Sequence, residues 1–325
     1  DARPHRAAGT AAAGEPVLSR IAESMFWIGR YVERAEDTAR ILDVQTQLML
    51  EDPGVDESAT CRTLLSIMGV TAPPGEVTRA TMLDLLAYDR DSPASIAATL
   101  AAARESARRA RETLSEPLWE AMNTTWRAIP SGSFAMLRPP RVFGWVRDRA
   151  ALVNGTADAT MTRDEGWQFL VLGRSIERAD MTARLLATAT LAAGTAPAWT
   201  TTLRACGAYE AFLRAYNGLE TEREAAEFLL LDRLFPRSVV YSLSRAELCL
   251  DNLESAGPRA GFQDDAQRLL GRTRADLEYR ALGDIVANLP AEMERLQRTC
   301  ADATEAVTRR YFAGSEATEW QGGRV

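Results

Sequence analysis

Two stretches of this chain carry charged side chains at spacings that can grip an anion, or one another. Arg30, Glu33, Arg34, Asp37 and Arg40 recur at steps of three and four, and so do Arg174, Glu177, Arg178 and Arg184. On a helix such steps place each set along one face. Three chemistries fit. Arginine forks at Arg30, Arg34, Arg174 and Arg178, with Glu33 and Glu177, could hold the charged ends of an amino acid or peptide through paired hydrogen bonds. Glu33 and Glu177 could act as an acid–base pair if burial raised one of their pKa values. Alternatively, Arg30 and Glu33 could pair with Glu177 and Arg174 between two helices as a buried structural network. The residues alone leave all three open.

Secondary candidates surround these. Arg40 and Arg184 extend the stripes, while Asp232, Arg233, Arg237 and Ser238 sit around a proline that opens a helix. Asp232 reads as a turn or capping residue, and Ser95 and Ser238 read as first-turn residues. The rival reading is an anion site at that helix start, with Arg233, Arg237 and Ser238 as donors. Asp164 and Glu165 read as helix-start acids rather than metal ligands. The run 104–111 reads as a solvated face, and Trp27, Trp119, Trp126, Trp145 and Trp167 as core or interface.

The rest of the composition narrows the chemistry. All 38 basic side chains are arginine, and His5 is the single histidine. That removes the lysine of a P-loop and any Schiff-base lysine, and it argues against histidine-based triads, zinc sites and di-iron sites. A net charge of -7 argues against an obligate nucleic-acid binder. The four cysteines, Cys61, Cys206, Cys249 and Cys300, lack any C-x-x-C spacing and read as reduced, buried thiols. No apolar run is long enough to span a membrane, so the expected location is the cytoplasm.

Stripes need helices to carry them, and apolar residues at three- and four-residue steps predict an all-α protein. A helix of about 30 residues starts behind a Ser19 cap. Others are expected at 60–69, 77–87, 92–114 with Ser92-Pro93 at its start, 117–129, 142–157, 162–193, 197–218, 221–231, 236–255, 263–282 and 291–312, with a loop at 130–140.

The stripes also repeat. Residues 29–42 and 173–186 are identical at nine of fourteen positions, sharing Gly-Arg-x-x-Glu-Arg-Ala-x-x-Thr-Ala-Arg at an offset of 144. Residues 89–96 match 232–239 at an offset of 143 in Asp, Arg, Pro and Ser, and Ser19-Arg20 matches Thr162-Arg163 at the same offset. This predicts a helical bundle built by duplication of a unit of about 145 residues, with two halves related by a pseudo-twofold axis. On this reading 1–17 is a disordered linker or cloning remnant, 18–160 the first repeat, 161–313 the second within one integrated domain, and 314–325 a flexible tail.

The sequence from Leu18 to Glu36, LSRIAESMFWIGRYVERAE, closely resembles the opening of the bacterial alpha-E family. So do Ser95-Ile96, Arg104-Glu105, Leu118-Trp119-Glu120, Arg163-Asp164-Glu165-Gly166-Trp167, EFLLLD at 227–232 and FPRSV at 235–239, and the likeness runs over 18–312. The resemblance implies an all-helical protein. Such proteins are typically encoded beside, or fused to, a circularly permuted ATP-grasp protein, often with a transglutaminase-like protein nearby. It therefore implies an auxiliary part in amide or peptide bond formation. ATP and magnesium would sit on the partner ligase, with no cofactor, nucleic acid or membrane for this chain. The family supplies no catalytic residues to carry over, and the isolated chain reads as an accessory rather than an enzyme. An independent carboxylate-based enzyme and a purely structural interaction scaffold are the alternatives.

Overall fold

The computed structural model describes residues 16–51, 54, 56–189, 197–217, 221–254, 261–262 and 264–312. Among these residues every regular element is helical. In chain order they are α1 (Pro16–Glu51), α2 (Glu57–Ile67), α3 (Arg79–Leu83), α4 (Ile96–Arg109), α5 (Glu116–Arg127), α6 (Ser133–Met136), α7 (Pro139–Thr160) and α8 (Glu165–Ala189). There follow α9 (Pro197–Ala205), α10 (Tyr209–Ala215), α11 (Glu222–Leu231), α12 (Val239–Leu253), α13 (Asp265–Tyr279), α14 (Leu282–Val286) and α15 (Leu289–Tyr311).

The stripe-bearing helices α1 and α8 form the centre. Most helices bury one face, but α1 buries Met25, Phe26, Ile28, Val32, Ala35, Ala39 and Leu42 together with Arg30, Glu33, Glu36 and Asp37. A helix covered on its polar face as well as its apolar face has to lie inside the bundle. In α8, Val171, Leu172, Ile176, Ala179 and Leu186 are buried along with Glu177 and Asp180. The two helices pack chiefly on each other. α4 and α7 cover α1, and α12 and α15 cover α8. Contacts advance along both helices in the same direction, from Phe26 with Gly173 to Arg34 with Glu177, so the pair runs parallel. One apolar cluster extends through the whole bundle, from Ala22 on α1 to Phe312 after α15.

Glycine sets the closeness of the central pair. A Cβ on Gly29 would lie 2.1 Å from the Leu170 carbonyl oxygen, and one on Gly173 would lie 2.1 Å from the Phe26 carbonyl oxygen. The two contacts are reciprocal, each glycine meeting the carbonyl three residues before the other. No side chain fits in that space, so the helix backbones touch directly.

Local chemistry fixes the flanking helices. Ser95 caps α4 by accepting from the Ala98 N–H at 3.0 Å, and Ser238 caps α12 by accepting from the Tyr241 N–H at 3.1 Å. Each of these hydroxyls also donates backward, to the carbonyls of Asp89 and Asp232 respectively. The serines are therefore N-caps rather than first-turn residues, and Ser92-Pro93 forms the preceding turn instead of the helix start. Ser19 does not cap α1, which already runs from Pro16. The expected helix 197–218 divides into α9 and α10 at Gly207, whose φ of +62° no helix accommodates. α6 lies inside the expected loop 130–140, and α13 stops at Tyr279, short of 282.

All four cysteines are buried free thiols. No helix among the described residues is long and apolar enough to cross a membrane. Residues 1–15 of the expected linker 1–17, the expected tail 314–325 and residues 190–193 lie outside the described residues, while Pro16 and Val17 belong to α1 rather than to a linker.

The backbone contact generates a prediction for urea or thermal unfolding. Gly29→Ala and Gly173→Ala each destabilise the protein by about 3 kcal/mol or more, because a carbonyl must move. Gly144→Ala and Gly155→Ala, which have nothing within 4 Å, leave stability unchanged or raise it by up to about 1 kcal/mol.

Candidate functional site

The central pair turns its two charged stripes toward each other. Glu177, wholly buried, accepts from Arg30 Nε at 2.6 Å and from Arg34 Nε at 2.5 Å, with Arg34 Nη2 at 3.0 Å. Glu33, also wholly buried, accepts from Arg178 through Nε at 2.5 Å and Nη2 at 2.7 Å. Each glutamate is thus gripped by the arginine one residue after the other glutamate. These are fork-on-carboxylate contacts, the strongest ion-pair geometry that side chains offer. Arg30 spends a further N–H on Thr304 Oγ1 of α15 at 2.6 Å.

Burial alone would raise both carboxyl pKa values, since it penalises the charged form. Arg34 and Arg30 overcome it at Glu177, and Arg178 and Arg237 overcome it at Glu33. Both carboxyls are held at about 2.

The two halves of the network then diverge. By register Arg174 should grip Glu33 as Arg30 grips Glu177, but Arg237, from the turn before α12, occupies that place. Its Nη1 donates to Glu33 at 2.8 Å and also to Asp37, and its Nη2 donates to Glu36 at 2.6 Å. Arg40 closes the cluster with a 2.7 Å contact to Glu36. At the matching positions of the other half the sequence has Met181 for Asp37 and Ala94 for Arg237. Burial and the neighbouring Glu33 and Glu36 outweigh Arg237 at Asp37, whose carboxyl is pushed up to about 7. Among the described residues Arg174 makes one hydrogen bond, from Nη1 to Asn154 Oδ1 of α7 at 3.3 Å.

Of the remaining candidates, Arg184 pairs with Asp180 at 2.8 Å and donates to the Ile67 carbonyl at 3.0 Å. Arg233 reaches away to Glu278 at 2.7 Å, Ser238 is spent as a cap, and Arg237 points into the acidic cluster. These three donors do not converge at the α12 start. Asp232 forms a turn, accepting from the Leu234 and Phe235 N–H groups. Asp164 likewise accepts from Trp167 N–H and the Thr162 hydroxyl.

The sequence reading missed two features. Arg237 acts as the deputy of Arg174, and Arg104 is not simply solvated. The Arg104 guanidinium lies 4.7 Å from the Trp126 ring centre and 5.7 Å from that of Trp119. The only signal for Arg237 was its place in the repeated proline block; nothing local pointed to an acidic target 200 residues away. A depression of about 360 Å³ lies between α13 and α15, with Asp265, Arg268, Arg272, Asp302, Glu305 and Arg309 on its walls. It contains none of the stripe residues.

Known proteins add a family to this geometry. The Alpha-E family model, described as a predicted alpha-helical domain with a conserved ER motif, matches residues 17–312. An uncharacterized protein of Mycobacterium bovis is 27% identical over 339 residues, which takes in 94% of this chain and 38% of that protein. Uncharacterized proteins of two Mycobacterium tuberculosis strains are 27% and 26% identical with the same coverage. This chain therefore spans well under half the length of these relatives. No solved structure matches it.

Removing one partner of a buried ion pair leaves the other charged and unpaired, which costs about 3–5 kcal/mol. Glu177→Ala and Glu33→Ala are expected to lose that much in chemical denaturation. The acid limb carries a sign. Both glutamates have folded pKa values below the unfolded one, so their stabilisation is present above about pH 4.5 and is lost as pH falls toward 2, by about 3 kcal/mol each. Asp37 runs the other way: its folded pKa is raised, so its contribution is full below its unfolded value near 4 and is lost as pH rises through about 7. Unfolding of Asp37→Asn followed from pH 4 to 8 should lack that decline.

Proposed function

The chain belongs to the Alpha-E family, and from that premise we propose that it is an accessory helical module of an amide-forming system, serving a circularly permuted ATP-grasp ligase rather than catalysing a reaction alone. The observation that carries this reading is the closure of the ER stripes on each other. Glu33 and Glu177, held at about 2 by their arginines, are too weakly basic to take a proton at neutral pH. Arg30, Arg34 and Arg178 likewise spend their forks on protein carboxylates. The family's ER motif thus works as a keystone, and activity belongs to surfaces that the keystone holds in place.

The greater length of the mycobacterial relatives supports a module that operates beside further sequence. An ATP-grasp ligase forms an acyl phosphate and needs an amine nucleophile presented to it; ATP and magnesium would sit on that partner, and a transglutaminase-like protein is a further candidate associate. Cytoplasmic placement follows from the same reading.

We also propose that the bundle arose by duplication, with a pseudo-twofold axis passing between α1 and α8. The reciprocal glycine contacts support it, as do the covering of α1 by α4 and α7 and of α8 by α12 and α15, and the shared Asp–Ser cap architecture of α4 and α12.

The test is to mix the purified chain with a circularly permuted ATP-grasp protein from the same organism. Co-elution as one complex, with faster ADP release in the presence of candidate amines, is the expected result. Separate elution and unchanged ADP release would overturn the proposal.

A further inference from the structure

Between α1, α4, α5 and α7 lies a cavity of about 10 Å³, walled by Val32 of α1, Leu100 of α4, Met122 and Thr125 of α5 and Val153 of α7. Its walls are apolar but for Arg149 of α7 and the Thr125 hydroxyl, which donates to the Ala121 carbonyl of its own helix at 2.8 Å. The Arg149 Nε is sealed from solvent there, and no group of the described residues accepts its N–H. Nor does its guanidinium make an ion pair among them; it lies 6.0 Å from the ring centre of Trp145, one turn back on α7. Acids of the neighbouring helices are engaged elsewhere. Glu105 of α4 holds Arg108 at 2.7 Å, and Asp43 of α1 holds Arg147 at 3.0 Å.

Packing does not require an arginine at this place. α15 covers α8 as α7 covers α1, with its buried Met293, Cys300 and Ala303 in the register of Phe143, Ala150 and Val153, and Thr299 stands where α7 has Arg149. A buried N–H with no acceptor is costly, and a charge held against apolar walls without a counter-charge is costlier still. An anion removes both costs at once; a water molecule removes only the first. The volume sets the size of the ligand, since about 10 Å³ admits one particle of water or halide size and excludes an amino acid or a nucleotide.

We propose that Arg149, through its buried Nε at the junction of α1, α4, α5 and α7, binds a monatomic halide, chloride under ordinary conditions. An ion gives up its water to enter and receives one charge-assisted hydrogen bond in return, so the apolar walls favour weakly hydrated halides such as chloride and bromide. Fluoride, the most strongly hydrated of them, suits the site least. The site lies outside the paired ER stripes and does not depend on the ligase reading.

Chlorine-35 NMR of the whole chain in sodium chloride tests it, because a chloride ion held on a protein broadens the bulk resonance. The broadening is expected to be displaced by bromide but not by an equal concentration of fluoride, and to lose at least half its magnitude in Arg149→Gln. Arg141→Gln, at an exposed arginine near the start of the same helix, should broaden the line as the unaltered protein does. Ala103→Val gives a second reading, since it fills the cavity from α4 and keeps the guanidinium; it should lose the broadening as well. Unchanged broadening in Arg149→Gln, or displacement by fluoride as readily as by bromide, means that the cavity takes water alone and overturns the site. If Arg149→Gln fails to fold, unchanged broadening in Ala103→Val overturns it equally.

Discussion

The whole molecule depends on two glycine-notched helices touching backbone to backbone. Gly29 and Gly173 let α1 and α8 approach until each notch meets a carbonyl of the other. At that separation the residues that follow cannot reach water, so Glu33 and Glu177 are wholly buried and must be neutralised in place. The spacing Gly-x-x-x-Glu-Arg answers both demands. One turn after the notch it delivers a carboxylate to the opposite helix, and the next residue is the arginine that grips the carboxylate arriving from the other side. Flanking helices then need only cover a pair whose position is already set.

A reciprocal arrangement of this kind tolerates one departure if the charge is made good. Arg237 makes it good by crossing from the turn before α12 to three carboxylates of α1, and the other half carries the apolar Met181 and Ala94 at the corresponding places. With Arg237 hydrogen-bonded to Glu33, Arg174 acts on that carboxylate through charge, and its hydrogen bond among the described residues goes to Asn154.

Much of this was legible in the sequence. Apolar steps of three and four identified the helices, the repeat singled out α1 and α8 as equivalent, and charge complementarity anticipated Arg30 with Glu177. Glu33 with Arg174 was anticipated on the same grounds and does not form, because the competing arginine arrives through tertiary packing that no local pattern encodes. Helix starts were misplaced for a related reason. Ser92-Pro93 and Ser95 both satisfy capping rules, and the choice of Ser95 rests on its second bond, back to Asp89, which closes a turn. The break at Gly207 follows from a positive φ, which a glycine permits but does not announce. Whether the stripes faced a cleft or each other was a matter of helix separation, and the notched glycines decide it only once both partners are placed.

The central claim is that the two ER glutamates are closed off and held by arginine. Carbon-13 NMR of glutamate carboxyl groups during acid titration tests it directly. Glu33 and Glu177, identified by their loss in Glu33→Gln and Glu177→Gln, should still be ionised at about pH 3.5, where an ordinary glutamate is mostly protonated. Midpoints near the usual value of about 4.3 would mean that both carboxyls stand in water, and the closed keystone would be wrong.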